Sequence, residues 1–212
     1  MADDGVRVIG GCCGTTPAHI ARAVESVGVR APSPLLVSQA RSPNVVLREE
    51  RPEENKPNLV DVADLQWADS EFERKLCSGE FVISVELDPP RGVRAQRLIS
   101  GAVALKQAGA DAINIADSPL ATARMSPLAL AVLIRQEVDI EILLHVSCRD
   151  RNVLGLLSET MGAHALGIRH MLCVTGDPPS VGDYPGSRAV FEVDAIGLLR
   201  MLDGLNRGLN VN

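Results

Sequence analysis

The chain has 212 residues, 46% of them hydrophobic and 23% charged, a composition that is typical of globular proteins and argues against disorder. A net charge of −6, with one Trp, one Tyr and three Phe, argues against nucleic acid as a partner. We find no apolar run long enough to span a bilayer and no secretory signal, so we expect a cytoplasmic location, no membrane partner and reduced cysteines.

The first thirty residues predict a short strand, a turn and a helix. The apolar run from Val6 to Ile9 predicts the strand, and Thr16 and Pro17 are suited to the N-cap and the first helical position. The apolar residues of 18–27 recur at helical spacing. Cys12 and Cys13 lie in the glycine-rich turn between strand and helix.

Residues 31–79 predict a linker between two domains. Prolines are spread through 31–57 among charged residues of both signs, a composition that disfavours regular structure. A loop of this length is uncommon inside one compact domain. We therefore divide the chain into a piece of one domain (1–30), the linker, which ends in a short helix near 70–77, and a second domain (80–212).

The second domain alternates short apolar strands with helices. The strands are predicted at 81–87, 112–116, 142–146 and 170–174, and the helices at about 95–108, 126–138, 152–162 and 194–205. Apolar strands joined by helices indicate a parallel sheet that is covered on both faces. The fold class is α/β with about four βα units, which fits either a doubly wound sheet or part of a (β/α)₈ barrel.

A full barrel needs about 250 residues, so four units predict an incomplete one. The first and last strands, 81–87 and 170–174, would then each have an unpaired edge. Because both strands are apolar, such edges promote pairing with other chains. We therefore expect this chain to self-associate.

In both candidate folds, functional groups lie at the carboxyl ends of the strands. Polar or ionisable residues follow all four predicted strands, in the segments 86–91, 114–119, 145–150 and 175–179. Glu86 lies inside an apolar strand, where partial burial would raise its pKa and suit it to general acid catalysis. The alternative is a carboxylate paired with a cation such as Arg91.

Asp177 and His145 are further candidates at this rim. Asp177 follows Gly176, which allows the backbone to approach a ligand closely, and two prolines stiffen the loop after it. Asp177 could equally cap a turn. His145 could equally be a core histidine whose ring is fully hydrogen-bonded.

Three segments together resemble the methylenetetrahydrofolate reductase family. They are SVELDPPR at 84–91, LHVSC at 144–148 and GIRH…TGDPP within 167–179, in the family's order and at its spacing. The resemblance implies a partial (β/α)₈ barrel that uses FAD and NAD(P)H to reduce 5,10-methylenetetrahydrofolate to 5-methyltetrahydrofolate. It implies that Glu86 is the general acid and that Asp177 lies near both flavin and folate.

The same resemblance implies a set of cofactor contacts. These are Ala116, Asp117, His145, Ser147, Thr175, Gly176 and Asp177. Some family members carry Thr-Tyr where this chain has Ala116 and Asp117. Two alternatives stay open: a non-catalytic module that binds flavin or folate, and an unrelated doubly wound nucleotide-binding protein. The loop at 88–92 lacks the glycine pattern that the latter requires.

The run GGCCGTTP at 10–17 resembles the C-terminal signature of the cobalamin-independent homocysteine methyltransferases. In that family two adjacent cysteines bind Zn²⁺ with a third cysteine, and the metal activates the homocysteine thiol. Cys12 and Cys13 would be the ligands here, although buried cysteines beside glycine can also be packing residues. We expect an incomplete site and no methyltransferase activity from this chain alone. Both resemblances together imply a bifunctional parent protein.

Overall fold

The computed structural model describes residues 8–11, 16–27 and 70–208. The strands are Val8–Gly11 (β1), Val82–Leu87 (β2), Ala112–Ile115 (β3), Glu141–Ser147 (β4) and His170–Val174 (β5). The α-helices are Pro17–Val27 (α1), Glu71–Ser78 (α2), Gln96–Gln107 (α3), Pro127–Glu137 (α4), Val153–Ala165 (α5) and Ala195–Asn206 (α6). Two short 3₁₀ turns, Pro119–Ala121 and Pro179–Val181, follow β3 and β5. None of the helices in these ranges is both long and apolar enough to cross a membrane.

The five strands form one parallel sheet in the order β1-β2-β3-β4-β5. Neighbours in the sheet are therefore neighbours in the described sequence, without the reversal that defines a doubly wound fold. A sequential, all-parallel order with alternating helices is the arrangement of a (β/α)₈ barrel. The predicted partial barrel is confirmed, with five strands in the sheet.

One face of the sheet packs against the helices. Apolar residues of the strands and of α3 to α6 form a single core there, including the fully buried Ile113, Leu144 and Leu130. Because the strands are nearly continuous apolar runs, we predicted that both faces of the sheet are covered. Instead, the helices of this core cover one face, because the strands alternate and send their polar side chains to the other.

The opposite face carries the polar residues. Glu86 is in register with Asn114, and Asn114 with Leu143, so the alternation of the strands also places His145 on this face. Near the amino ends of the strands this face is apolar, and Phe72 of α2 packs there against Val82, Ala112 and Leu143. Helix α2 thus closes the amino end of the inner face and leaves its carboxyl end open to ligands.

Local signals explain where the helices begin and end. The Ser70 hydroxyl accepts a hydrogen bond from the Glu73 N–H at the start of α2, and Gly79 ends this helix in the left-handed conformation. Asn152 and Asp194 cap α5 and α6 in the same way, by accepting from Gly155 and Gly197 N–H. These caps are visible in the sequence, and the predicted bounds of most elements are correct to within one or two residues.

The N-terminal piece is part of the same sheet. Residues Val8–Gly11 pair with Val82–Val85 of β2, and Ile20 of α1, only 3% exposed, joins the main core. The prediction of an unpaired edge at strand 81–87 is therefore wrong, because β1 occupies that edge. Most of the predicted linker, residues 31–69, lies outside the described residues, and its last part forms α2.

Candidate functional site

Glu86 lies near the carboxyl end of β2 and is partly buried. Burial raises the pKa of its carboxyl group, and the negative charge of Asp88 raises it further. The alternative of a pair with Arg91 is wrong, because the Arg91 guanidinium lies 3.5 Å from Asp183 instead. Within the described residues no cation pairs with Glu86, so nothing there offsets the rise in its pKa.

The loop after β2 is tied to the loop after β3. Arg124 lies 3.2 Å from the Asp88 carboxylate and donates a hydrogen bond to the Pro89 carbonyl at 2.8 Å. The Met125 N–H also donates to the Pro90 carbonyl at 2.9 Å. These contacts hold the Asp-Pro-Pro segment beside Glu86 in one conformation.

His145 is buried on the inner face of β4, with 8% of its surface exposed. Its Nε2 atom is buried and has no hydrogen-bond partner in the described part of the chain. Burial lowers the pKa of the imidazole, and the charges of Asp117 and Asp88 oppose this only in part. The alternative of a core histidine whose ring is fully hydrogen-bonded is wrong, because Nε2 has no partner among the described residues.

Asp117 follows β3 and is buried. One carboxylate oxygen accepts hydrogen bonds from the Ser147 N–H at 2.9 Å and from Arg151 Nη1 at 2.7 Å. These contacts join the ends of β3 and β4. Ala116, 2% exposed, packs beside Asp117, and its N–H donates to the Leu87 carbonyl. The structure thus uses Asp117 to hold the rim together.

Gly176 has to be glycine at this rim. Its φ is +96°, and a Cβ atom there would lie 2.3 Å from the Ser147 hydroxyl oxygen. Ser147 is fully buried, and its hydroxyl also accepts from the Arg149 N–H at 3.2 Å. The predicted residues Ser147 and Gly176 are therefore packed against each other, and the loop backbone runs directly over the end of β4.

Asp177 is exposed, and one of its carboxylate oxygens accepts from the Leu120 N–H at 2.8 Å. The turn that supplies this N–H is strained, since Ser118, Leu120 and Ala121 have φ values of 48°, 53° and 51°. The alternative prediction, that Asp177 caps a turn, is correct. The turn lies in the loop after β3, however, and not in the loop that contains Asp177. No hydrogen bond joins Asp177 to Glu86 within the described residues.

Thr175 lines a cleft of about 490 Å³. The other residues that line it belong to the segment leading into α6: Phe191, Glu192, Val193, Asp194 and Gly197. The Thr175 hydroxyl accepts from the Ala195 N–H at 3.1 Å, which joins the end of β5 to the start of α6. Phe191 and Val193 make part of this cleft apolar, and Glu192 and Asp194 add carboxylates.

Three arginines of the rim were not among the residues predicted from the sequence. Arg124, Arg149 and Arg151 each bind a loop or a carboxylate of a neighbouring strand. The signal that could have revealed two of them is the alternation of arginine and aspartate at 149–151, directly after a buried strand. Charged residues in that position need partners, and here Asp150 and the neighbouring loops supply them.

The predicted metal ligands Cys12 and Cys13 lie outside the described residues. Within those residues no group of three or more His, Cys, Asp or Glu side chains could hold a metal ion. Burial raises the pKa of Cys148, and raises that of Cys173 to about 11. The raised pKa values disfavour the thiolate form of both residues.

Two solved structures resemble the chain weakly, each over 65% of its length at 14% identity. They are the carboxyl transferase domain of Rhizobium etli pyruvate carboxylase with 3-bromopyruvate (TM-score 0.37) and 3-dehydroquinate dehydratase from Geobacillus kaustophilus HTA426 (TM-score 0.34). The chain spans 23% and 49% of their respective lengths. None of the curated proteins matches it.

Sequence profiles of two families match the chain. The homocysteine S-methyltransferase profile matches residues 1–27. The methylenetetrahydrofolate reductase profile matches residues 71–205, from the start of α2 to α6. This second match includes every strand that follows β1 and all the rim residues described above. The chain belongs to the methylenetetrahydrofolate reductase family.

Proposed function

We propose that the rim of this chain is the flavin and folate site of an enzyme that reduces 5,10-methylenetetrahydrofolate to 5-methyltetrahydrofolate with NAD(P)H. The proposal rests on the environment of Glu86. This residue has a partly buried carboxyl group without a compensating cation in the described residues, at the carboxyl end of a barrel strand. Family membership supplies the reaction in which such an acid is needed.

The residues of the rim fit FAD. The buried and unpaired Nε2 of His145 can make a hydrogen bond to a ring heteroatom of the cofactor. Gly176 lets its loop pack closely over Ser147, and the cleft at Thr175 offers a partly apolar surface beside this loop. FAD, when bound, would carry hydride from the nicotinamide to the folate one-carbon unit. Ala116, Asp117 and Ser147 would support it mainly through the backbone that they hold in place.

Glu86 would hold a proton on its carboxyl group and donate it to the folate nitrogen that carries the bridging carbon. Its raised pKa lets the carboxyl group keep that proton to a higher pH than an ordinary glutamate does. Asp177 would present a carboxylate to the cationic species that results from ring opening. The Leu120 N–H fixes one oxygen of that carboxylate and leaves the other free to act.

The match of residues 1–27 to homocysteine S-methyltransferases supports a parent protein that also methylates homocysteine. There, Cys12 and Cys13 would bind Zn²⁺ together with a third ligand. Among the described residues no further ligand cluster completes that site. We therefore propose no methyltransferase activity for this chain by itself.

The visible spectrum of the purified chain with FAD, before and after anaerobic addition of NADH or NADPH, tests the reductase assignment. A bound flavin whose absorption near 450 nm is lost on adding the nucleotide is the expected result. A flavin that binds but is not reduced would favour the alternative of a non-catalytic binding module. Failure to bind flavin at all would contradict the proposed function of this chain.

A further inference from the structure

Arg149 lies at the point where three loops of the rim meet, and only 3% of it is exposed. Its Nε and Nη2 atoms donate to the Asp150 carboxylate at 2.7 to 3.0 Å. Its Nη1 atom donates to the carbonyl of Ser118 at 3.2 Å and to the carbonyl of Asp177 at 3.4 Å. A single guanidinium therefore joins the loop after β3 to the loop after β5.

The backbone of Arg149 extends this junction. Its carbonyl accepts from the Val190 N–H at 2.8 Å, so the segment that lines the cleft is anchored to the same residue. Its Cβ would lie 3.1 Å from a Cβ on Gly176. Arg149 thus contacts each of the chain segments that surround the rim between β3 and α6.

The strained turn after β3 needs such an anchor. Non-glycine residues adopt left-handed conformations only where surrounding contacts hold them there. Here the contacts are the bond from Arg149 to the Ser118 carbonyl and the bonds from Leu120 and Ala123 N–H to Asp177 and Asp183. Without Arg149, the turn would lose one of the hydrogen bonds that hold the Leu120 N–H in position to donate to Asp177.

We propose that Arg149 is a positioning residue: it clamps the loops after β3 and β5 together and thereby fixes where the Asp177 carboxylate stands. The role of Asp177 in the reaction rests on the proposed function, whereas the clamp is a property of the fold. Lysine cannot replace arginine here, because an ammonium group cannot form the planar fork that reaches Asp150 and two carbonyls at once.

Amide exchange measured by NMR on the 212-residue chain tests the clamp without any cofactor. In Arg149→Lys we expect the Leu120 and Ala123 amides to exchange about tenfold faster, since each depends on a turn that has lost a hydrogen bond. The control is the same substitution at another arginine, Arg135→Lys. Arg135 donates to the Gly167 carbonyl near the amino end of β5, away from the rim. Equal exchange in wild type and Arg149→Lys would overturn the clamp.

A double-mutant cycle with Asp177→Asn then tests the positioning role, with reoxidation of the reduced flavin by methylenetetrahydrofolate as the readout. We expect Arg149→Lys to lower kcat about tenfold with KM nearly unchanged, and to have little further effect in the Asp177→Asn background. An equal factor in both backgrounds would overturn action through Asp177. A wild-type chain that binds no flavin would instead contradict the proposed function, and the exchange result would still decide the clamp.

Discussion

Burial shifts the pKa values of Glu86 and His145 in opposite directions. It disfavours the charged form of each, so the Glu86 carboxyl group holds its proton to a higher pH than usual and the His145 imidazole loses its proton at a lower pH. The two residues lie on the inner faces of β2 and β4, at the rim proposed as the flavin and folate site. Burial thus favours the uncharged form of both an acid and a base at this rim.

The lowered pKa of His145 predicts a specific pH dependence of stability. Because the folded-state pKa lies below the unfolded value of about 6.5, the unfolded chain binds more protons, and stability falls as the pH drops below that value. His145→Gln should remove this loss, which reaches at most about 1.4 kcal/mol per pH unit for one group. Urea unfolding at pH 7.5 and 5.5 measures it, with the exposed His19→Asn as control. An unchanged pH slope in His145→Gln would contradict the lowered pKa.

At the scale of elements, the strands and helices follow local signals, whereas the loops do not. Apolar runs and side-chain caps such as Ser70 and Asn152 act over a few residues, so the sequence reveals them. The hydrogen bonds that shape the rim join residues that are far apart in the sequence. Leu120 and Asp177, for example, are 57 positions apart. Pairing of β1 with β2 also spans more than seventy positions. No local pattern encodes such contacts.

Helix α2 closes the amino end of the inner face, so its one buried residue should matter for stability. Phe72→Ala removes the ring that packs on Val82 and Leu143 and that lies 5.0 Å from the His170 ring. We expect a loss of about 3 to 5 kcal/mol in the free energy of unfolding. Leu76→Ala on the same helix, where the side chain is 37% exposed, should cost less than about 1 kcal/mol. Equal losses from chemical denaturation would show that α2 does not pack as described.

For the whole molecule, the described sheet has β1 at one edge and β5 at the other. Leu172 of β5 is 43% exposed, and Ile196 and Leu199 on the neighbouring α6 are about half exposed. We propose that this edge mediates the self-association expected from the sequence. The edge of strand 81–87, which was expected to contribute as well, is paired with β1.

Leu172→Lys tests this proposal, because a lysine on an edge strand opposes pairing with another strand. Light scattering of the wild-type chain should give a mass above the 22.6 kDa of one copy, and the variant should approach that value. Val93→Lys, at a position 89% exposed in the loop after β2, serves as control and should leave the mass unchanged. A wild-type chain that remains monomeric at high concentration would contradict the proposal.

The proposed role of Glu86 as general acid can be tested on the protein by the rate at which methylenetetrahydrofolate reoxidises the reduced flavin, measured as a function of pH. In wild type we predict a rate that falls as the pH rises through the raised pKa of Glu86. In Glu86→Gln the rate of reoxidation should be lower by about two to four orders of magnitude and lack this pH dependence. The control Glu137→Gln, on the exposed end of α4, should behave as wild type. A Glu86→Gln variant that retains the wild-type rate and pH profile would contradict the assignment of the acid.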